Sequence, residues 1–179
     1  GGHFFWERGV SLSRTHPPDH NRDWMSQKSW SMILPVTANL KEIEEKGRNY
    51  QWVRPEFCLR CRGIHLWGHG FVGSWFDGYS RVLLLRRYRC PLCGCIIKLR
   101  PKGYFKRFQA KIETIRFHIA RRLKTGKWPQ GCSCSRCRHW LSALKRQTMA
   151  HLGIEWIGHL SEAFDRLIEM GKVPVSRSI

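Results

Sequence analysis

Apolar and polar positions recur with changing periods along the chain, and the changes divide it. Residues 32–37, MILPVT, form a short apolar run suited to an edge strand. In ANLKEIEEKGRNY, Asn39 is placed to cap a short helix, Leu40 and Ile43 to face inward, and Gly47 to stop it. Residues 52–100 read as β structure: IHLWGHGFVGSWF alternates around glycines, Asp77-Gly78 predicts a tight hairpin turn, and RVLLLRRYRC predicts the return strand. CGCIIKLRP predicts a further strand ended by Pro101. From Phe105 the period becomes helical, with Phe108, Ile112, Ile115, Ile119 and Leu123 at steps of three or four and Gly126 as C-cap. A second helix is expected to start near Ser133 or Ser135, bury Trp140, Leu141, Leu144 and Met149, and end at Gly153. SEAFDRLIEMG predicts a third, capped by Ser161, with Ala163, Phe164, Leu167 and Ile168 inward. Residues 1–31 hold SRTHPPDHNRD and no hydrophobic period, so that segment is expected to be poorly structured.

Cysteine spacing adds a metal site to this outline. Cys58-Leu-Arg-Cys61 and Cys90-Pro-Leu-Cys93 are two C-x₂-C knuckles separated by 28 residues. Zinc prefers four tetrahedral ligands, and the hairpin between the knuckles brings them together. Arg60, Arg62 and Arg89 flank the cysteines and favour the thiolate form. Four thiolates leave no position for a reacting water, so one structural Zn²⁺ is expected. Two unrelated buried cysteine pairs are the plainer alternative. A redox role fits poorly, because there are two pairs and no βαβ context. Cys95 is an alternative to Cys93 as ligand, and His65 and His69 read as surface or stacking residues. Cys132, Cys134 and Cys137 with His139 form a second, weaker metal candidate. It requires a non-helical segment, whereas Trp140 and Leu144 favour a helix. The fold class expected is therefore α+β, a small zinc-ribbon β module followed by a helix-turn-helix-like module. The boundaries are a segment 1–31, a ribbon 32–101, a helical pair 102–153 and a C-terminal helix and tail 154–179.

Charge decides the partner. The formal net charge is +19 over 179 residues. Between residues 81 and 146 nineteen lysines and arginines face a single acid, Glu113, while the remainder holds 13 against 12. Solvated faces mix signs, so this concentration points to a polyanion, nucleic acid before an anionic membrane surface. A hydrophobic fraction of 42% argues against wholesale disorder. No run of 18 apolar residues and no signal-peptide pattern is present, so the expected location is the cytoplasm, with reduced thiols and no membrane partner. The chain opens on Gly-Gly, and Met25 and Met32 are candidate starts.

Two basic helices joined by a turn with Pro129 and Gly131 suggest a helix-turn-helix, whose second helix reads base edges in the major groove. Ser135, Arg136, Arg138 and His139 are then the readers, with Ser133 beside them. Lys145 and Arg146 would touch phosphate, Arg121, Arg122, Lys124 and Lys127 would hold the backbone, and Arg86, Arg87 and Arg89 would extend the footprint onto the ribbon. An ordinary helical hairpin with a basic solvent face is the alternative.

Over residues 33–153 the chain resembles a bacterial zinc-ribbon plus helix-turn-helix family found with insertion sequences and similar to the N-terminal DNA-binding region of transposases. The resemblance rests on RPEFCLRCRGIHLWGHGFVGSWFDGYSRVLLLRRYRCPLCGC, LRPKGYFKRFQ and SRCRHWL. It implies Cys58, Cys61, Cys90 and Cys93 as zinc ligands and does not call for Cys132, Cys134 or Cys137. Transposases of this type carry a catalytic domain with three separated carboxylates. Here Glu155, Glu162, Asp165 and Glu169 crowd one stretch, and Asp77 and Glu113 stand alone. The expected function is double-stranded-DNA binding, transposase-like and nucleoid-associated, without enzymatic activity of its own and with a transposase or another protein as a further partner. A zinc-ribbon protein-interaction module, displaying Trp52, Trp67 and Trp75, and an RNA-binding protein are the alternatives.

Overall fold

The computed structural model describes residues 30–131 and 133–178. The poorly structured segment expected over 1–31 falls almost wholly outside them. Strand β1 (Ser31–Val36) lies at the edge of a four-stranded sheet of order β1-β4-β3-β2. Pro35 is tolerated there because an edge strand can leave one N–H unpaired. Helix α1 (Leu40–Lys46) follows. Its cap is reciprocal: Asn39 Oδ1 accepts from the Lys41 and Glu42 amides, and Asn39 Nδ2 donates to Glu42. Leu40 and Ile43 are buried against Phe76, Leu83, Leu85 and Tyr104.

β2 (Trp67–Ser74) and β3 (Leu83–Arg89) pair antiparallel, and β3 pairs antiparallel with β4 (Ile96–Pro101). β1 runs parallel to β4, with Met32 opposite Ile97 and Leu34 opposite Leu99. These four side chains share a core with Leu66, Tyr88 and Cys95. The sequence pattern places a tight turn at Asp77-Gly78. The turn is there, with Gly78 at φ +85°, but residues 75–82 make a longer connection because Phe76 dips into the core against Tyr104.

The helical part has its own core. α2 (Ile112–Thr125), α3 (Cys134–His151) and α4 (Leu160–Glu169) enclose Phe105, Ile115, Ile119, Trp140, Leu144, Phe164, Leu167 and Val175. Periodicity starts the first of these helices near Phe105, yet it begins at Ile112. Phe105 and Phe108 reach the same core from a turn in which the Phe108 amide donates to the Phe105 carbonyl. Leu123 keeps the helical spacing but is 42% exposed, one turn past the last buried residue of α2. Met149 is also exposed. It stands five residues after Leu144, about 140° around the helix, and Gln147 and Thr148 take the inward places. Gln147 is satisfied by donating to the carbonyls of Ser176 and Ser178. Ser161 does not cap α4, because a 3₁₀ turn over Ile154–His159 already leads into the helix. Ile168 sits at the margin of the buried face. Among the described residues no helix is long and apolar enough to cross a membrane.

Candidate metal centre and basic surface

The two knuckles are built alike. In the first, the Cys58 amide donates to the Gly63 carbonyl and the Arg62 amide to the Cys58 carbonyl, both at 2.8 Å. In the second, the Cys90 amide donates to Cys95 and the Gly94 amide to Cys90, both at 2.9 Å. The matching left-handed residues are Arg62 (φ +62°) and Gly94 (φ +69°). Arg62 accepts a conformation that suits glycine better, and its guanidinium lies over the Phe57 ring.

Cys58, Cys61, Cys90 and Cys93 bring all four sulfurs within 4.8 Å of one another. The Cys58–Cys93 and Cys61–Cys90 Sγ separations are 3.7 and 3.5 Å. Zinc–thiolate bonds of about 2.3 Å in a tetrahedron put sulfurs about 3.8 Å apart, so the cluster has metal-binding dimensions. None of the four is in a disulfide. Cys58 and Cys90 are fully buried, and Cys61 is exposed. Burial raises the Cys58 thiol, but the Cys61 and Arg60 amides and the neighbouring thiols outweigh it and bring it to about 7. The Gly63 amide lowers the Cys61 thiol, but Cys90, Cys93, burial and Cys58 push it up to about 12. A metal ion bound by these thiols would displace their protons.

Cys95 is outside the cluster. It is fully buried in the sheet core, where burial raises its thiol. His65 is exposed and His69 half-buried, and neither joins the four sulfurs. For the second candidate, Cys132 lies outside the described residues. Ser133 caps α3, Cys134 is exposed, and Cys137 is buried with its Sγ 3.7 Å from His118 Nδ1. His139 accepts from Arg177 at 2.8 Å. Among the described residues, Cys134, Cys137 and His139 form no cluster of metal-binding size.

The predicted cations divide into three groups. Arg122 from α2 and Arg138 and Lys145 from α3 converge on a shallow hollow of about 230 Å³ floored by Trp128, over which Arg122 stacks at 5.4 Å. Arg121, Lys124 and Lys127 are exposed nearby on α2 and its C-terminal turn, and Arg146 donates to Ser142 on α3. Arg136 and His139 face the other way, into a hollow of about 720 Å³ formed with the loop before α2 and the C-terminal tail and shared with Arg177. Arg136 is ion-paired to Asp77 at 2.9 Å and stacks on Trp140. Ser135 is exposed at the start of α3. On β3, Arg86 lies over Phe71 and Tyr88, Arg87 is half-buried, and Arg89 is exposed beside the second knuckle.

Four cations missed from the sequence are Lys98, Arg100, Lys106 and Arg107, which line one cavity with Arg87. A signal was present: Lys98 and Arg100 are two apart on a strand and therefore share a face. The chain matches no protein-family model, no curated protein and no solved structure.

Proposed function

We propose that the chain is a zinc-stabilised DNA-binding protein whose helical part contacts the duplex, related in role to the N-terminal DNA-binding region of transposases and without catalysis of its own. The observation that carries this is the concentration of nineteen cations against one acid between residues 81 and 146. The hollow of Arg122, Arg138 and Lys145 gives that charge a local form: three donors around an indole, spaced over two helices, suited to adjacent phosphates. One structural zinc in the Cys58–Cys61–Cys90–Cys93 cluster rigidifies the ribbon, whose exposed Arg89 extends the footprint from the second knuckle. Duplex binding followed by fluorescence anisotropy tests the proposal. Affinity is expected to fall steeply as salt rises, and to exceed affinity for a single-stranded RNA of the same length. A flat salt response would refute phosphate contact.

A second reading has its own observation. Trp67 and Trp75 are 62% and 52% exposed on the β2–β3 arm, unusual for such large apolar groups. They favour a protein-docking face. Association with a transposase-type partner that survives nuclease treatment and is lost in Trp67→Ala would support it.

A further inference from the structure

The register places Arg87 on β3 opposite Lys98 on β4, and Arg100 follows two residues on, on the same face. Lys106 and Arg107, from the loop before α2, close over that face and leave a cavity of about 460 Å³. Five cations meet there, and no carboxylate of the described residues lines it. None of the five is in an ion pair among those residues.

The three cations on the strands are withdrawn from solvent, whereas Lys106 and Arg107 are exposed. Arg100 is only 5% exposed. One guanidinium nitrogen donates to the Phe108 carbonyl at 2.5 Å, and the group stacks on Phe76, but its Nε is buried without a partner. The Nε of Arg87 is likewise buried and unpaired. Lys98 donates to Ser74 Oγ at 3.3 Å, and burial, with the charges of Arg100 and Arg87, lowers its pKa from the ordinary lysine value. Arg107, in the cavity wall, has φ +68°, a strained conformation for a side-chain-bearing residue. Desolvated like charges without a counter-charge oppose folding. An anion seated among Arg87, Lys98 and Arg100 would supply that counter-charge.

We propose that this cavity binds a phosphate group carried on a ligand of nucleotide size. Arginine forks and lysines are the side chains that recognise phosphate oxygens. The volume lies within the range of small-ligand pockets, roughly 300–1,000 Å³. Trp75, half-exposed at the rim, and Phe108 offer aromatic faces on which a base can stack. The cavity lies apart from the Arg122–Arg138–Lys145 hollow, and binding of a free ligand there does not depend on duplex binding. Its ligand is either a free nucleotide or the phosphorylated end of a strand.

Calorimetric titration of the full zinc-loaded chain with adenosine 5′-monophosphate, adenosine and inorganic phosphate tests the site. One monophosphate per chain is expected, with adenosine at least about tenfold weaker. Lys98→Met keeps the aliphatic stem and removes the charge, and should lower the monophosphate affinity about tenfold or more. Lys106→Ser, on the exposed loop, should weaken it without touching the sheet core, and so keeps the test open if Lys98→Met fails to fold. Arg48→Ser, an exposed residue of the 3₁₀ turn Gly47–Asn49 that does not line the cavity, should leave it unchanged. Absence of saturable monophosphate binding, equal binding of adenosine, or indifference to both cavity substitutions would overturn the proposal. The two sources separate with single strands bearing a 5′-phosphate or a 5′-hydroxyl. A preference for the phosphate that Lys98→Met removes assigns a strand end, and monophosphate binding without that preference assigns a free nucleotide.

Discussion

Arg136 holds the Asp77 carboxylate at 2.9 Å, so the connection between β2 and β3 is tied to the first turn of α3. The Asp77 amide adds a second tie by donating to the Gln109 carbonyl at 3.0 Å. Both ion-pair partners are partly exposed, so the pair itself contributes about 0–1 kcal/mol. Its larger effect is on where the cation points. Arg136 is engaged by an acid and stacked on Trp140, while Arg138, two residues on and about 160° around the helix, is presented to solvent in the Trp128 hollow.

The two arginines should therefore behave differently. Arg138→Ala is expected to weaken duplex binding about tenfold, whereas Arg136→Ala should change it less and lower thermal stability instead. A double-mutant cycle of Asp77→Asn and Arg136→Ala, read by urea midpoints, should give a coupling of no more than about 1 kcal/mol. Equal loss of duplex affinity in both arginine variants would contradict the division of the helix into two faces.

Metal content follows from the cluster. Elemental analysis of the purified chain should find one zinc, unchanged in Cys134→Ala and Cys95→Ala and lost in Cys90→Ser. Chelation should unfold the sheet part, because structural zinc contributes folding free energy directly. The pH response has a definite sign. An ion displaces thiol protons, and the Cys61 thiol is raised to about 12, so zinc affinity should rise with pH from acid through neutral solution. A competition titration with a chromophoric chelator at pH 6 and pH 8 measures it, and tighter binding at pH 6 would rule the thiolate cluster out.

Much of this was legible because it is local. Asn39 and Gly47 bracket α1, Gly126 ends α2 and Ser133 starts α3, since caps depend on a residue and its next few neighbours. The cysteine set was legible from spacing, because a C-x₂-C turn needs few long-range contacts to aim its sulfurs. Met149 misled because its apolarity outweighed its angular position. The cavity of Lys98, Arg100 and Lys106 was not legible as a site, because it forms only when the loop before α2 folds over the sheet. His118 was hidden for the same reason: it lies on α2's inward face, and the buried environment belongs to α3.

His118 makes stability depend on pH. Burial first, and then the Arg136 charge, lowers its pKa from the ordinary 6.5. The unfolded chain then binds a proton more readily than the folded one. The contribution is complete above about pH 6.5 and is lost as the pH falls through the lowered value. The thermal midpoint should therefore drop between pH 7 and pH 5 more in the native chain than in His118→Gln. Zinc loss at low pH adds to the slope of both proteins, so the difference between them is the measured quantity. Parallel slopes would remove His118 from the account.

The Trp128 hollow makes the most specific claim about duplex contact. Counterion release gives a slope of log affinity against log salt of about −0.9 per phosphate neutralised. If Arg122, Arg138 and Lys145 each meet one phosphate, each single change to alanine should make that slope shallower by about 0.9, and the triple change by about 2.7. Trp128→Ala removes no charge. It should leave the slope nearly intact and still weaken binding, because it removes the ring that stacks against Arg122. Arg48→Ser, exposed and outside the hollow, serves as the reference for any loss due to net charge alone. Three alanine variants indistinguishable from that reference would mean that the positive charge of the chain acts diffusely and that the hollow is not where the duplex sits.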